Sequence, residues 1–108
     1  MAYDQLFAAL ADPTRRQVFE LVRTHNYTVG ELAVGLKITQ PAVSQHLRVL
    51  RSANLVIDRR EGARRYYRPN PEGLAELRKY VESLWDEALE AFAAADPKPL
   101  KKKKGSTR

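Results

Sequence analysis

Two helix starts placed eleven residues apart constrain this chain more than any other feature. Thr28 followed by Glu31 has the form of a capping box, in which hydroxyl and carboxylate satisfy each other's orphan backbone N–H groups. Thr39 precedes Gln40-Pro41, a second N-cap with proline in the first turn, where the missing N–H breaks no ladder bond. Between the caps there is room for one short helix, burying Val29, Leu32 and Leu36 and ending near Gly35 to Lys37, and a tight turn. Such a pair of helices is a helix-turn-helix candidate.

The flanks extend this nucleus. Leu6, Phe7 and Leu10 fall at helical spacing, and Asp12-Pro13 opens a second helix to about His25 with Val18, Leu21 and Val22 on one side. Asn26-Tyr27 interrupts it. From Leu55 the pattern becomes two β-type runs around Glu61-Gly62-Ala63, a hairpin. Asn70-Pro71 starts a long helix in which Leu74, Leu77, Val81, Leu84, Trp85, Ala88 and Phe92 form one stripe through about residue 95. The expected fold is mainly α with a small β-hairpin, a winged helix-turn-helix of about five helices plus a two-stranded wing. Residues 1–97 make one DNA-binding and dimerisation domain, and the aperiodic lysine-rich stretch 98–108 is expected to be a disordered tail.

Charge is segregated along the chain. All of the net +6 is matched by the six cations from Lys98 onward, so residues 1–97 hold thirteen basic and thirteen acidic groups. Within them, residues 37–68 carry eight basic groups against Asp58 and Glu61, whereas residues 71–97 carry seven acids against Arg78 and Lys79. A basic middle and an acidic end point one face toward a polyanion. Cysteine is absent, which removes thiolate catalysis, disulfides and thiolate metal sites. With no run of about 18 apolar residues and no export signal, a bacterial cytoplasmic location is expected, nucleoid-associated when DNA is bound.

On a helical wheel Val43, Leu47 and Leu50 form a narrow apolar stripe, while Gln40, Pro41, Ser44, Gln45, Arg48 and Arg51 occupy a polar arc that contains no acid. Glutamine can pair with adenine, serine with several base edges, and arginine with guanine or phosphate. The candidate DNA-binding set is therefore Thr39, Gln40, Pro41, Ser44, Gln45, Arg48 and Arg51, joined by Arg59, Arg60, Arg64, Arg65 and Tyr67 of the hairpin. Strand alternation sets Tyr67 and Arg65 on one face and Tyr66, Arg64 and Arg68 on the other. His46 lies off the polar arc and is assigned to packing, and His25 to a helix C-terminus.

The long helix bears more apolar surface than so small a core can cover. A two-fold homodimer interface is expected from Tyr3, Leu6, Phe7 and Leu10 together with Val81, Leu84, Trp85, Ala88, Leu89 and Phe92. Such a dimer would present two recognition helices to successive major grooves of a pseudo-palindromic operator.

Several of these stretches resemble the ArsR, or arsenical-resistance repressor, family. They are Ala8-Ala9-Leu10-Ala11-Asp12-Pro13-Thr14-Arg15-Arg16, Val29-Gly30-Glu31-Leu32-Ala33, and Gln40-Pro41-Ala42-Val43-Ser44-Gln45-His46-Leu47-Arg48-Val49-Leu50-Arg51. Ser52-Ala53-Asn54-Leu55-Val56, with asparagine where glycine is usual, and the wing Arg60 to Tyr67 complete the likeness. The resemblance implies base contacts from Gln40, Pro41, Ser44 and Gln45, dimerisation through the first and last helices, and repression relieved by an effector. Ala33 and Gly35 stand where metal-sensing members carry cysteines, and residues 71–97 lack the histidines of the family's other metal site. The chain therefore resembles the metal-independent, SdpR-like branch, with no cofactor and an unassigned effector.

An enzyme is disfavoured, because Ser44 and His46 face far apart on one helix and cannot form a nucleophile–base pair. The rival reading that the lysine tail and arginine wing favour is a sequence-tolerant architectural DNA binder. A protein-interaction module that kept the winged fold is opposed by the acid-free recognition face.

Overall fold

Each expected helix start is visible in the computed structural model, which describes residues 2–94. Helix α1 spans Ala2–Ala11 and α2 spans Pro13–Thr24. Asp12 caps α2, its carboxylate accepting the Arg15 N–H at 2.9 Å, and that bond holds the carboxyl below its ordinary range. Arg15 and Arg16 also reach back across the cap. The Arg15 Nε donates to the Ala9 carbonyl at 2.7 Å, and an Arg16 terminal nitrogen donates to that of Leu10 at 2.6 Å. The carbonyls of Ala9 and Leu10, orphaned near the end of α1, are thus satisfied by the start of α2.

Helix α3, Val29–Leu36, begins with the complete capping box: Thr28 N–H donates to the Glu31 carboxylate at 2.9 Å, and Glu31 N–H to the Thr28 hydroxyl at 3.2 Å. It ends at Lys37, whose φ of 58° turns the chain in the left-handed region. Helix α4, Gln40–Ser52, follows after three residues, with Thr39 Oγ1 accepting from the Ala42 N–H at 3.2 Å. Thr39→Ala removes this cap and should cost about 1 kcal/mol, a fall of roughly 4–8 °C in melting temperature by calorimetry.

Strands β1, Val56–Glu61, and β2, Arg64–Pro69, form an antiparallel hairpin closed at Gly62, whose φ is 60°. Its register pairs Asp58 with Tyr67 and Arg60 with Arg65. A single bridge from Tyr27 to Tyr67 ties the α2–α3 connection to the wing, so Asn26-Tyr27 is more than an interruption. Asn54 has φ of 63°, which explains both why glycine suits this position and why asparagine is tolerated.

The core gathers α1 to α4 and the base of the hairpin: Val18, Val22, Leu32, Val43, Leu47, Leu50, Leu55 and Val56 are almost completely buried. Phe19 and Ala33 join them, beyond the positions expected from the sequence. Two of the candidate site residues also lie in this core. Leu6 is 3% exposed and packs inside this core. Tyr67, 9% exposed, is packed against the same core.

Helix α5, Pro71–Ala94, is about 36 Å long. Its start is pressed against the end of α4, Gly73 being buried there. Leu74 and Leu77 pack on the core, and Tyr80 meets Tyr3 and Phe7 of α1 with ring centroids 4.5 and 5.3 Å apart. From Val81 to Ala94 every residue is exposed. The expected tail, residues 98–108, and the last part of the expected domain lie outside the described residues.

Candidate nucleic-acid interface

The stripe of α4 that enters the core fixes which face remains outside. Val43, Leu47 and Leu50 are buried, and Thr39, Gln40, Pro41, Gln45, Arg48 and Arg51 are exposed with Ser44 half-buried, as a helix of this periodicity requires. The Gln40 amide lies beside Gly30 at the start of α3, and Gln45 Oε1 accepts from Arg48 at 2.8 Å. That last bond engages the Gln45 amide oxygen and not its N–H groups. His46 is half-buried, with Nδ1 enclosed and without a hydrogen-bond partner, in keeping with a packing position.

Strand alternation divides the four wing arginines into two pairs. The register places Arg60 and Arg65 on the face shared by Asp58 and the buried Tyr67, and Arg59 and Arg64 on the face shared by Tyr66. All four are exposed. Arg59 forms an ion pair with Glu61 at 3.1 Å, whereas among the described residues Arg60 and Arg64 have no carboxylate at ion-pair distance. The wing therefore offers cations on both sides of its tip.

Between α4 and β2 lies an open hollow of about 230 Å³, lined by Ser44, Leu47, Arg48, Arg51, Arg65 and Tyr67. Asp58 sits at its edge and pairs with Arg51 at 3.4 Å and Arg65 at 3.3 Å. In the sequence Asp58 enters only the charge balance. Its link to two candidate DNA contacts depends on how β1 packs against α4, which periodicity within either element does not reveal.

The candidate dimer residues fall into three environments. Leu6 belongs to the core, and Tyr3 and Leu10 are half-buried within the protomer. Phe7, Val81, Leu84, Ala88, Leu89, Trp85 and Phe92 are exposed, Trp85 to 65% and Phe92 to 82%.

This geometry has close relatives. The model of the arsR family of bacterial regulatory proteins matches residues 12–58, from the cap of α2 into β1. HTH-type transcriptional regulator Rv2034 of Mycobacterium tuberculosis is 48% identical over 90 residues, 83% of this chain and 84% of that protein. The chain belongs to the ArsR family. Another relative is the transcriptional repressor SdpR of Bacillus subtilis, 36% identical over 67 residues, 62% of this chain and 74% of SdpR. Among solved structures, the homodimeric winged helix-turn-helix DNA-binding domain of Mb0332 from Mycobacterium bovis superimposes with a TM-score of 0.65 at 32% identity, covering 80% of each chain. Within the ArsR family this chain is a DNA-binding transcriptional regulator, not an enzyme. In it α3 and α4 are the helix-turn-helix and β1–β2 the wing. Of the two positions where metal-sensing ArsR proteins carry cysteines, Ala33 is buried and Gly35 exposed. Among the described residues no helix is long and apolar enough to cross a membrane.

Proposed function

We propose that this ArsR-family protein is a homodimeric repressor that binds a pseudo-palindromic operator. The observation that carries the reading is the exposed, acid-free polar face of α4 standing beside an arginine-rimmed hollow of the wing. Gln40, Ser44 and Gln45 are assigned to base edges, Thr39 and Pro41 to the approach of the helix N-terminus, and Arg48, Arg51, Arg59, Arg60, Arg64 and Arg65 to phosphates. Tyr67 supports the hairpin from below.

The homodimer rests on the exposed stripe of α5. On a wheel of about 100° per residue its apolar positions span an arc of roughly 140°, and the acids lie opposite. A contiguous apolar patch of this kind marks an association surface, and the homodimeric state of Mb0332 supports a second copy of this chain as its occupant. The name of SdpR supports repression. The acidic faces of α5 would then point away from the duplex.

The test is selection of bound fragments from genomic DNA, followed by affinity for the recovered duplex. Joint replacement of Gln40, Ser44 and Gln45 by alanine should weaken that binding by about 1–3 kcal/mol for each base that is no longer read, and leave scrambled-duplex binding nearly unchanged. Equal weakening on both duplexes would contradict the base-reading assignment. Diffuse recovery of fragments would favour the architectural reading.

A further inference from the structure

A carboxylate on a surface made for phosphates opposes binding by charge alone. Asp58 is such a group: with Glu61 it is one of two acids between Lys37 and Arg68, and its side chain is 15% exposed. It meets two arginines from two different elements. The Oδ1 faces Nε of Arg51 on α4 at 3.4 Å, and the Oδ2 faces Nε of Arg65 on β2 at 3.3 Å. Both arginines approach through Nε, so the terminal nitrogens of each fork are left for an acceptor beyond the carboxylate.

We propose that Asp58 is a positioning residue for DNA, clamping Arg51 of the recognition helix and Arg65 of the wing so that their free ends converge on one backbone phosphate. The inference rests on the reading of α4 and the wing as the DNA-binding face. Both arginines line the same 230 Å³ hollow, with Ser44 beside them, which is ample for a phosphate group. The register puts Asp58 opposite the buried Tyr67, on the side of the hairpin turned toward the core and α4. Exposed at 59% and 42%, the arginine side chains would otherwise sample many rotamers, and ordering them before binding removes that entropy loss from the association step. The clamp also fixes the wing against the recognition helix, so that one phosphate contact sets the register of both.

Charge and positioning predict opposite signs, which makes the test sharp. Wild type, Asp58→Asn and Asp58→Glu are titrated by fluorescence anisotropy against a mixed-sequence duplex of about 30 base pairs over a series of salt concentrations. Positioning predicts that D58N binds about tenfold more weakly, with a salt slope shallower by about one to two, and that D58E recovers part of the affinity. In an Arg51→Gln, Arg65→Gln background the same D58N change should no longer weaken binding, and loss of the repelling charge should leave it unchanged or slightly tighter. D58N binding as tightly as wild type or more tightly would overturn the inference, as would a weakening that persists undiminished in the double-glutamine background. D58E keeps the charge and covers the case in which D58N lowers the melting temperature. Failure of wild type to bind any duplex would instead contradict the DNA-binding reading itself, and the same titration separates the two results.

Discussion

A Trp85→Asp protein is expected to sediment as a monomer at concentrations where wild type is a dimer. Trp85 lies in the middle of the α5 stripe, flanked by Leu84 and Leu89, and is 65% exposed in the protomer. Buried interfacial tryptophans are frequent hot spots, each costing about 2–4 kcal/mol on truncation. A two-fold axis makes every substitution count twice, and an aspartate adds an unpaired charge to each half. Dimer dissociation should therefore rise by at least about 10³-fold, read by analytical ultracentrifugation. The protomer's own fold is expected to survive, since no residue from Val81 to Ala94 is buried in it. Operator binding should fall with dimerisation, because a monomer engages only one half-site. A W85D protein that remains dimeric would place the interface elsewhere.

Gly73→Ala should be the most damaging conservative change within the protomer. A Cβ at Gly73 would stand 1.6 Å from the Asn54 carbonyl oxygen and 2.6 Å from its carbonyl carbon. Both are backbone atoms of the turn that ends α4, so no side-chain rotation relieves the overlap. Either α5 lifts away or the left-handed turn at Asn54 is lost. Overpacking of this type costs on the order of 3 kcal/mol, roughly 10–20 °C in melting temperature for a domain of this size. Gly35→Ala is the control: its Cβ would meet nothing within 4 Å, and alanine should raise stability by about 0.5 kcal/mol. Similar melting temperatures for the two variants would contradict the close approach of α5 to α4. Since α5 carries the apolar stripe and α4 the polar face, Gly73 also joins those two surfaces.

The contrast between Gly73 and Thr39 marks what can be read from sequence. Caps at Asp12, Thr28 and Thr39 are chemistry between a side chain and backbone three residues away, so their spacing alone carries the signal. The same holds for the α4 faces and for the division of wing tyrosines and arginines, because helix and strand periods are local. In the sequence Gly73 resembles any glycine near a helix start, since its constraint is a carbonyl nineteen positions earlier. The burial of Leu6 and Tyr67 is hidden from the sequence for a related reason. Periodicity tells which residues share a face but not which face meets the core, and α1 and β2 each offer two. The Asp58 clamp needs three elements in place at once, so it emerges only with the packing of β1 and β2 against α4.

The central claim is that a dimer of this chain reads base sequence through α4. Its most direct test is competition between the selected operator and the same duplex with both half-sites scrambled, at about 0.15 M salt, with binding stoichiometry measured in parallel. The account predicts two protomers per operator and a specificity ratio of at least about 10³. A ratio near one, with a steep dependence on salt and no fixed stoichiometry, would contradict it.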